Sequence, residues 1–508
     1  MKQKFVFSFV VLLTIIFLTS QFSVGQELTE LKDINNVKLS NEINLFDGPN
    51  YALEENTIIS LKSSEEEPTF YLDTNGITIK CINCVAGDTG RVNGAVYKAV
   101  DKNSLNQMIK EGADLSAVCT SLIKNMNGLF YGQNNFNQDI SSWDVSNVTH
   151  MGGMFAYAYS FNQDIGSWDV SNVIRMDSML WLAYIFNQNI GDWNVSKVTS
   201  MSGMFVRATN FNQNIGDWDV SNVNNMNWMF DEANAFNQNI NSWNVSKVTD
   251  MSYMFRYAIS FNQSLDSWNV SNVTDMSSMF ADAQSFNQDI GNWDVSNVTE
   301  MNGMFEGATS FNQNIGNWNV GNVTRMEDMF HNAGSFNQDI SLWNVSNVKP
   351  SSSFRTGMKR IFAGSNLSTG NYSKILNGWS KLDLQHGVTL DAGEIQYDST
   401  AIMARQSIIS EYGWTIKDGG LAANTTSISE KVKKNTLKIY PVPTNDKLFL
   451  ETNSSGRVQI FDIQGKLVMN QQIENIINEI NVSDLSSGTY LLKFESANEL
   501  RTVHFLKN

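Results

Sequence analysis

The sequence predicts an α/β solenoid, built of parallel strands with short helical return turns and followed by a C-terminal all-β sandwich domain. Three observations carry that prediction. Phe-Asn-Gln recurs at 136, 161, 186, 211, 236, 261, 286, 311 and 336, always 25 residues apart. A tryptophan follows each Phe by seven places, from Trp143 to Trp343. A fixed period without drift is the signature of stacked repeats. At the other end, residues 437–508 alternate apolar and polar in short runs: Lys447 to Leu450, Arg457 to Phe461, Thr489 to Phe494 and Thr502 to Leu506. Turns at Gln464-Gly465 and Ser487-Gly488 separate them, which is the pattern of short antiparallel strands.

Within one unit the apolar positions are Ile140, Trp143, Val145, Val148, Met151, Met154, Phe155, Ala158 and Phe161. Trp143 and Val145 lie two apart and so share one face of a predicted strand. The spacing I-x-x-W-x-V is leucine-rich-repeat-like. From Val148 the spacing changes to three and four, which predicts a helical return. Strands of successive units would pair in parallel at roughly 4.8 Å. The copies compare themselves: Phe, Asn, Gln, Trp and both Val positions hold throughout, and Ile changes once, to Leu265. These residues are the expected core. The repeated Asn is expected to form a ladder satisfying backbone groups.

Positions that differ between copies are expected to face water and to carry specificity. The pairs after Phe155 and its equivalents run Ala-Tyr, Trp-Leu, Val-Arg, Asp-Glu, Arg-Tyr, Ala-Asp, Glu-Gly and His-Asn. Trp181, Trp228, Tyr253 and Tyr257 are candidate exposed aromatics, suited to stacking on sugars or peptides. Between Trp and Val stands a position that is always polar: Asp144, Asp169, Asn194, Asp219, Asn244, Asn269, Asp294, Asn319 and Asn344. It would point away from the core and form a candidate ligand-facing stripe, in which Asn relieves repulsion between stacked carboxylates.

The flanks follow in order. Residues 1–25 read as a signal peptide, with Lys2 and Lys4, an apolar run from Phe5 to Leu18, and cleavage near Gly25 and Gln26. Residues 26–80 are poorly defined, with short strands expected at Thr69 to Leu72 and Ile77 to Ile82. Residues 81–122 would cap the stack, using a helix between Tyr97 and Gly112 started by Asp101 or Asn103. The repeats fill 123–355 and lose their pattern after Val348, where Lys349-Pro350 stands. Residues 356–420 would cap the far end with helices at Asn371 to Trp379 and Ala401 to Tyr412, and 421–436 is a polar linker. No apolar run in the mature chain has the length of a transmembrane helix.

Composition narrows the partners. With 42% hydrophobic and 17% charged residues the chain is globular in character. A net charge of -16 and a pI near 4.7 argue against nucleic acid or an anionic membrane. Cys81, Cys84 and Cys119 are too few for a four-ligand zinc site. In an exported chain they suggest one disulfide, Cys81 with Cys119, or alternatively Cys84 with Cys119.

The repeat F-N-Q-x-I-x-x-W-x-V-S-x-V-x-x-M-x-x-M-F resembles the BspA-like leucine-rich-repeat surface proteins. Gly87-Asp88-Thr89-Gly90, Tyr97 and Val118-Cys119-Thr120-Ser121 are similar to that family's N-terminal cap, and Asn371-Tyr372, Gly378-Trp379 and Tyr412-Gly413-Trp414-Thr415-Ile416 to its C-terminal cap. The resemblance implies a secreted or cell-surface protein with a role in adhesion. Ile439-Tyr440-Pro441-Val442-Pro443-Thr444, Ile460 to Lys466 and Leu485 to Tyr490 resemble the C-terminal sorting domain of type IX secretion cargo, with Val442 where Asn is usual. That implies passage to the outside, or to the outer-membrane surface, of a Gram-negative bacterium, with the secretion machinery as partner through 437–508.

No G-x-S-x-G, H-E-x-x-H or phosphate-binding glycine loop occurs, and His150, His331, His386 and His504 stand apart. The expectation is therefore no catalytic residue, no metal and no cofactor. The favoured function is non-enzymatic adhesion to an extracellular polysaccharide or protein. The alternative is a structural surface component that binds copies of itself, and a third reading is an unrecognised polysaccharide hydrolase.

Overall fold

A computed structural model describes residues 67–350, 357–422 and 438–508, apart from 453, 475–476 and 497–499. Contacts divide the chain into Met1–Ser63 and Ser64–Asn508, and the described residues all belong to the second unit. The signal peptide, its cleavage near Gly25 and Gln26, and most of the linker lie outside the described residues.

The repeats stack rung on rung. Parallel bridges join Asn125 to His150, His150 to Arg175 and so on to Arg325, each 25 residues on. The ladder lies where a helical return was expected. In one rung the N–H groups of Met151, Gly153, Phe155 and Tyr157 donate to carbonyls of the next rung, at Arg175, Asp177, Met179 and Trp181. The N–H groups of Met154, Ala156 and Ala158 instead donate three residues back. Gly153 and Tyr157 are left-handed, with φ of 59° and 63°. A left-handed residue in every fourth place breaks any helix and turns its N–H toward the neighbouring rung.

The Trp143–Val145 segment is not a strand. Trp143 N–H donates to Ile140 and Val148 N–H to Val145. Asp139 and Asp144 accept from the N–H groups of Ser141 and Ser146. These tight turns prevent extension. The apolar side chains still point inward. Trp143 and Trp168 stack at 6.5 Å, and Phe155 lies 3.8 Å from Phe161. Each indole N–H donates to a carbonyl 28 residues earlier, as Trp218 does to Ile190 at 3.0 Å. The asparagine ladder is present: Asn162 N–H donates to Asn137 Oδ1, Asn187 N–H to Asn162 Oδ1, and so on to Ser368 N–H on Asn337 Oδ1.

Both ends are closed. Strands β1 (Thr69–Leu72) and β2 (Ile79–Ile82) form a hairpin, as do β3 (Thr89–Val92) and β4 (Ala95–Ala99). Helix α1 (Lys102–Glu111) begins later than the sequence suggests, because β4 takes Tyr97 to Ala99. Asp101 caps it by accepting from Ser104 N–H, and β5 (Val118–Cys119) pairs in parallel with β4. At the far end the ladder does not stop at Val348: Phe330 N–H donates to Ile361, so Met358, Ile361 and Phe362 supply another rung after a longer connection. Helix α2 (Thr369–Trp379) buries Tyr372, Ile375, Leu376 and Trp379 over it. Strands β6 (Thr389–Asp391) and β7 (Thr415–Lys417) pair in parallel, flanking α3 (Ile402–Tyr412).

The described residues of the C-terminal domain form seven strands: β8 (Lys438–Tyr440), β9 (Lys447–Glu451), β10 (Gly456–Phe461), β11 (Leu467–Ile473), β12 (Ile477–Asn481), β13 (Gly488–Glu495) and β14 (Leu500–Lys507). They form one sheet in the order β11-β10-β13-β14 and another in the order β12-β9-β8, all antiparallel. Leu448, Leu450, Val458, Ile460, Ile480, Leu492 and Phe494 share one buried core.

Candidate ligand-facing surface

The rungs present their variable side chains as columns. One column runs Tyr131, Ala156, Trp181, Val206, Asp231, Arg256, Ala281, Glu306 and His331. The next runs Gly132, Tyr157, Leu182, Arg207, Glu232, Tyr257, Asp282, Gly307 and Asn332. These positions do not all face water as expected: Ala156, Leu182, Val206, Asp231 and Ala281 are buried. The cross-rung bonds draw adjacent rungs together, so small and apolar members pack between them.

The columns change chemistry along the stack. At the first three rungs they are aromatic. Tyr131 lies 5.3 Å from Tyr157, and Tyr157 lies 6.1 Å from Trp181 and 6.4 Å from Tyr159. Tyr159 in turn meets Tyr184 at 5.1 Å. Burial pushes the Tyr157 and Tyr184 phenols up. In the middle the columns are ionic. Arg256 donates twice to Asp231 at 2.8 Å, and Arg207 meets Glu232 at 2.8 Å. Burial pushes the Asp231 carboxyl up, and Arg256 opposes it.

The candidate aromatics thus fall into two groups. Trp228 stacks on Tyr253 at 4.4 Å, and the Arg256 guanidinium lies 4.7 Å from Trp228, 5.0 Å from Tyr253 and 5.6 Å from Tyr257. Trp181 belongs to the other group. It meets Tyr157, which in turn meets Tyr131 on the rung before and Tyr159, and Tyr159 meets Tyr184 on the Trp181 rung.

The polar stripe divides differently. Asp169, Asn194, Asp219, Asn244, Asn269, Asp294, Asn319 and Asn344 are exposed. Asp144 is buried at 3% exposure, a correction to its expected place in the stripe. Ser121 Oγ donates to it, and the β1–β2 hairpin reaches the same rungs through Ile79 N–H on Ser142 and Asn75 Nδ2 on Ser167. The exposed members are engaged in turns. Asp219 Oδ1 accepts from Ser221 N–H, and the Ser221 hydroxyl with that N–H holds its carboxyl below the usual range. Asp294 is lowered by Ser296 in the same way.

Cys81, Cys84 and Cys119 are unbridged. A hydrogen bond between the Cys81 and Cys119 thiols brings Cys119 down to about 7 and pushes Cys81 up. Among the described residues no group of three or more His, Cys, Asp or Glu is placed to hold a metal ion. His331 Nδ1 meets Glu306 Oε1 at 3.0 Å, and His150 Nδ1 lies 2.9 Å from Thr149 Oγ1. His386 packs on Tyr412 at 5.6 Å. Among the described residues no helix is long and apolar enough to cross a membrane.

A stack of 25-residue rungs beside a separately cored β domain defines an exported repeat protein once the family matches are added. Residues 438–508 match the secretion system C-terminal sorting domain. Residues 100–205, 185–287 and 262–366 match the family described as Mycoplasma protein of unknown function, DUF285. Those matches span more than half of the 508 residues, and the chain belongs to that family. Comparison with curated proteins finds no match. The sorting domain makes this a secreted or cell-surface protein that engages the type IX secretion machinery.

Proposed function

We propose that the repeat stack is a leucine-rich-repeat-like solenoid that serves as a rigid, non-enzymatic scaffold for binding or adhesion outside the cell. One observation carries this reading. Successive rungs bury Phe, Trp, Val and Met at the same positions, with Leu180 replacing one Phe, while the cross-rung columns change from aromatic to ionic. A constant interior with a chemically varied face is how repeat proteins present recognition surfaces. The BspA-like motif supports a surface role, and the sorting domain supports delivery to the secreted fraction or the outer-membrane surface. The test is binding of the mature chain to panels of polysaccharides, matrix proteins and whole cells. Saturable binding that responds to column substitutions is expected. Absence of binding to every class would overturn the reading.

A further inference from the structure

We propose that Cys81, Cys84 and Cys119 form a thiol–disulfide exchange site, in which Cys84 takes up an external disulfide and the bond passes through Cys81 to Cys119. The site does not depend on what the stack binds. Ile79 and Cys81 lie two apart on β2 and share one of its faces. Strand β5 brings Cys119 against that face. The Cys119 thiol donates to Ile79 O at 3.3 Å. Its sulfur and the Cys81 N–H both meet Ser121 Oγ, at 3.3 and 3.2 Å. Cys119 is fully buried with Ile79 and Val92, and half-buried Cys81 packs against them. The Cys81 thiol meets the thiols of both Cys119 and Cys84. Cys84 is half-buried, and its thiol also reaches Ile82 O at 3.5 Å.

These surroundings give the three thiols different roles. Burial keeps an incoming disulfide away from Cys119. The hydrogen bond from Cys81 brings Cys119 down to about 7, close to the best value for an attacking thiol at neutral pH. The same bond pushes Cys81 up, which makes it a slow attacker of disulfides from solution. Cys84 is therefore the entry. Its thiolate attacks one sulfur of a glutathione or protein disulfide, that S–S bond breaks, and one half leaves as a thiol. Cys81, held in contact with Cys84, then hands its proton to Cys119 and attacks Cys84 Sγ. The second half leaves as a thiol, and Cys81 and Cys84 are joined. Cys119 attacks Cys81 Sγ, and its proton goes to the departing Cys84. In sum, two thiols of the chain are oxidised to one bridge, and the external disulfide is reduced to two thiols. A secreted chain passes through compartments that hold such oxidants. The final bridge ties the β1–β2 hairpin, already set on the first rungs through Ile79 and Asn75, to the cap strand β5.

The experiment mixes the reduced mature chain with glutathione disulfide, quenches with acid at intervals, alkylates, and maps the peptides by mass spectrometry. The expected end product is Cys81–Cys119, with glutathione appearing first on Cys84. Cys119→Ser should accumulate the Cys81–Cys84 bond. Cys81→Ser should keep glutathione on Cys84. Cys84→Ser, with circular dichroism matching the parent, should close Cys81–Cys119 about tenfold more slowly. An end product joining Cys84 to Cys119, or no bridge in the folded parent, overturns the site. Glutathione appearing first on Cys81, or Cys84→Ser bridging at the parental rate, overturns the relay through Cys84. The order of products in the parent chain gives this answer even where a variant fails to fold.

Discussion

Trp218→Ala tests whether the stack is a chain of coupled rungs. Trp218 is 3% exposed and lies 6.4 Å from both Trp193 and Trp243. It also faces Phe205 at 6.4 Å and donates its indole N–H to Ile190 O at 3.0 Å. Truncation removes the transfer free energy of a buried indole and leaves a cavity between rungs, about 3–5 kcal/mol together. The lost hydrogen bond adds little, because Ile190 O keeps the Trp193 N–H at 3.3 Å. In a nearest-neighbour stack that loss falls on one interface and its two flanks. Guanidinium unfolding followed by circular dichroism should show a midpoint shift matching about 4 kcal/mol. A second, earlier transition should appear as the two halves uncouple. Trp218→Phe, which keeps a ring without the N–H, should lose about half as much. A Trp218→Ala loss below about 1 kcal/mol would refute a tightly packed indole column.

Arg256→Ala leaves the Asp231 carboxylate, 2% exposed on its side chain, without its partner. A loss of about 3–5 kcal/mol is expected, measured by denaturant unfolding. Adding Asp231→Val should restore most of it, since Val206 and Ala281 occupy the flanking rungs of that column. Asp250→Asn should stabilise at neutral pH. Asp250 Oδ1 accepts from Ser252 N–H and Oγ, and Asn225 one rung earlier accepts from Asn227 N–H in the same way, so the amide fits. Burial, with Asp275 adding to it, raises the Asp250 carboxyl. Its stabilising share is therefore complete below about pH 4 and is lost as pH rises through the raised value. The melting temperatures of the two proteins should agree at low pH and separate by roughly 1–3 °C at pH 7.5; no separation refutes the sign. A chain lacking 438–508 should remain inside the cell envelope, by immunoblot of cell and medium fractions, and its normal appearance outside would contradict the sorting assignment.

Much of the rung was legible because its copies compare themselves. Inward-facing Phe, Trp, Val and Met stand out by repetition, and so does the asparagine ladder. The paired backbone did not stand out, because its path depends on left-handed turns that have no hydrophobic period. Glycine marks them in some copies, at Gly128, Gly153, Gly203 and Gly303, but Ser178, Trp228, Tyr253, Ser278 and Asp328 hold the same position in others with φ from 52° to 60°. The cross-rung hydrogen bonds of their N–H groups hold a conformation that the side chains alone disfavour. Asp144 was misjudged for another reason. Its repeat position is a surface position, but Ser121 and the β1–β2 hairpin cover this one copy, and only tertiary structure brings them there. The extra rung at Met358 to Phe362 kept its M-x-x-I-F pattern but broke the 25-residue spacing.

The column variation has a constraint of its own. Several charged members meet an opposite charge on the next rung: Arg207 with Glu232, Asp231 with Arg256, and Asp328 with Arg360 across the longer final connection. Aromatic members face aromatics in the same manner, Tyr131 with Tyr157 and Tyr157 with Trp181. A half-buried charge needs its partner, and a half-buried ring needs apolar contact. So the unit of surface chemistry is a pair of adjacent rungs, not a single repeat. A repeat moved as a block would break pairs at both of its borders while leaving the Phe and Trp columns whole. The interior therefore tolerates rearrangement of repeats, while the face fixes their order.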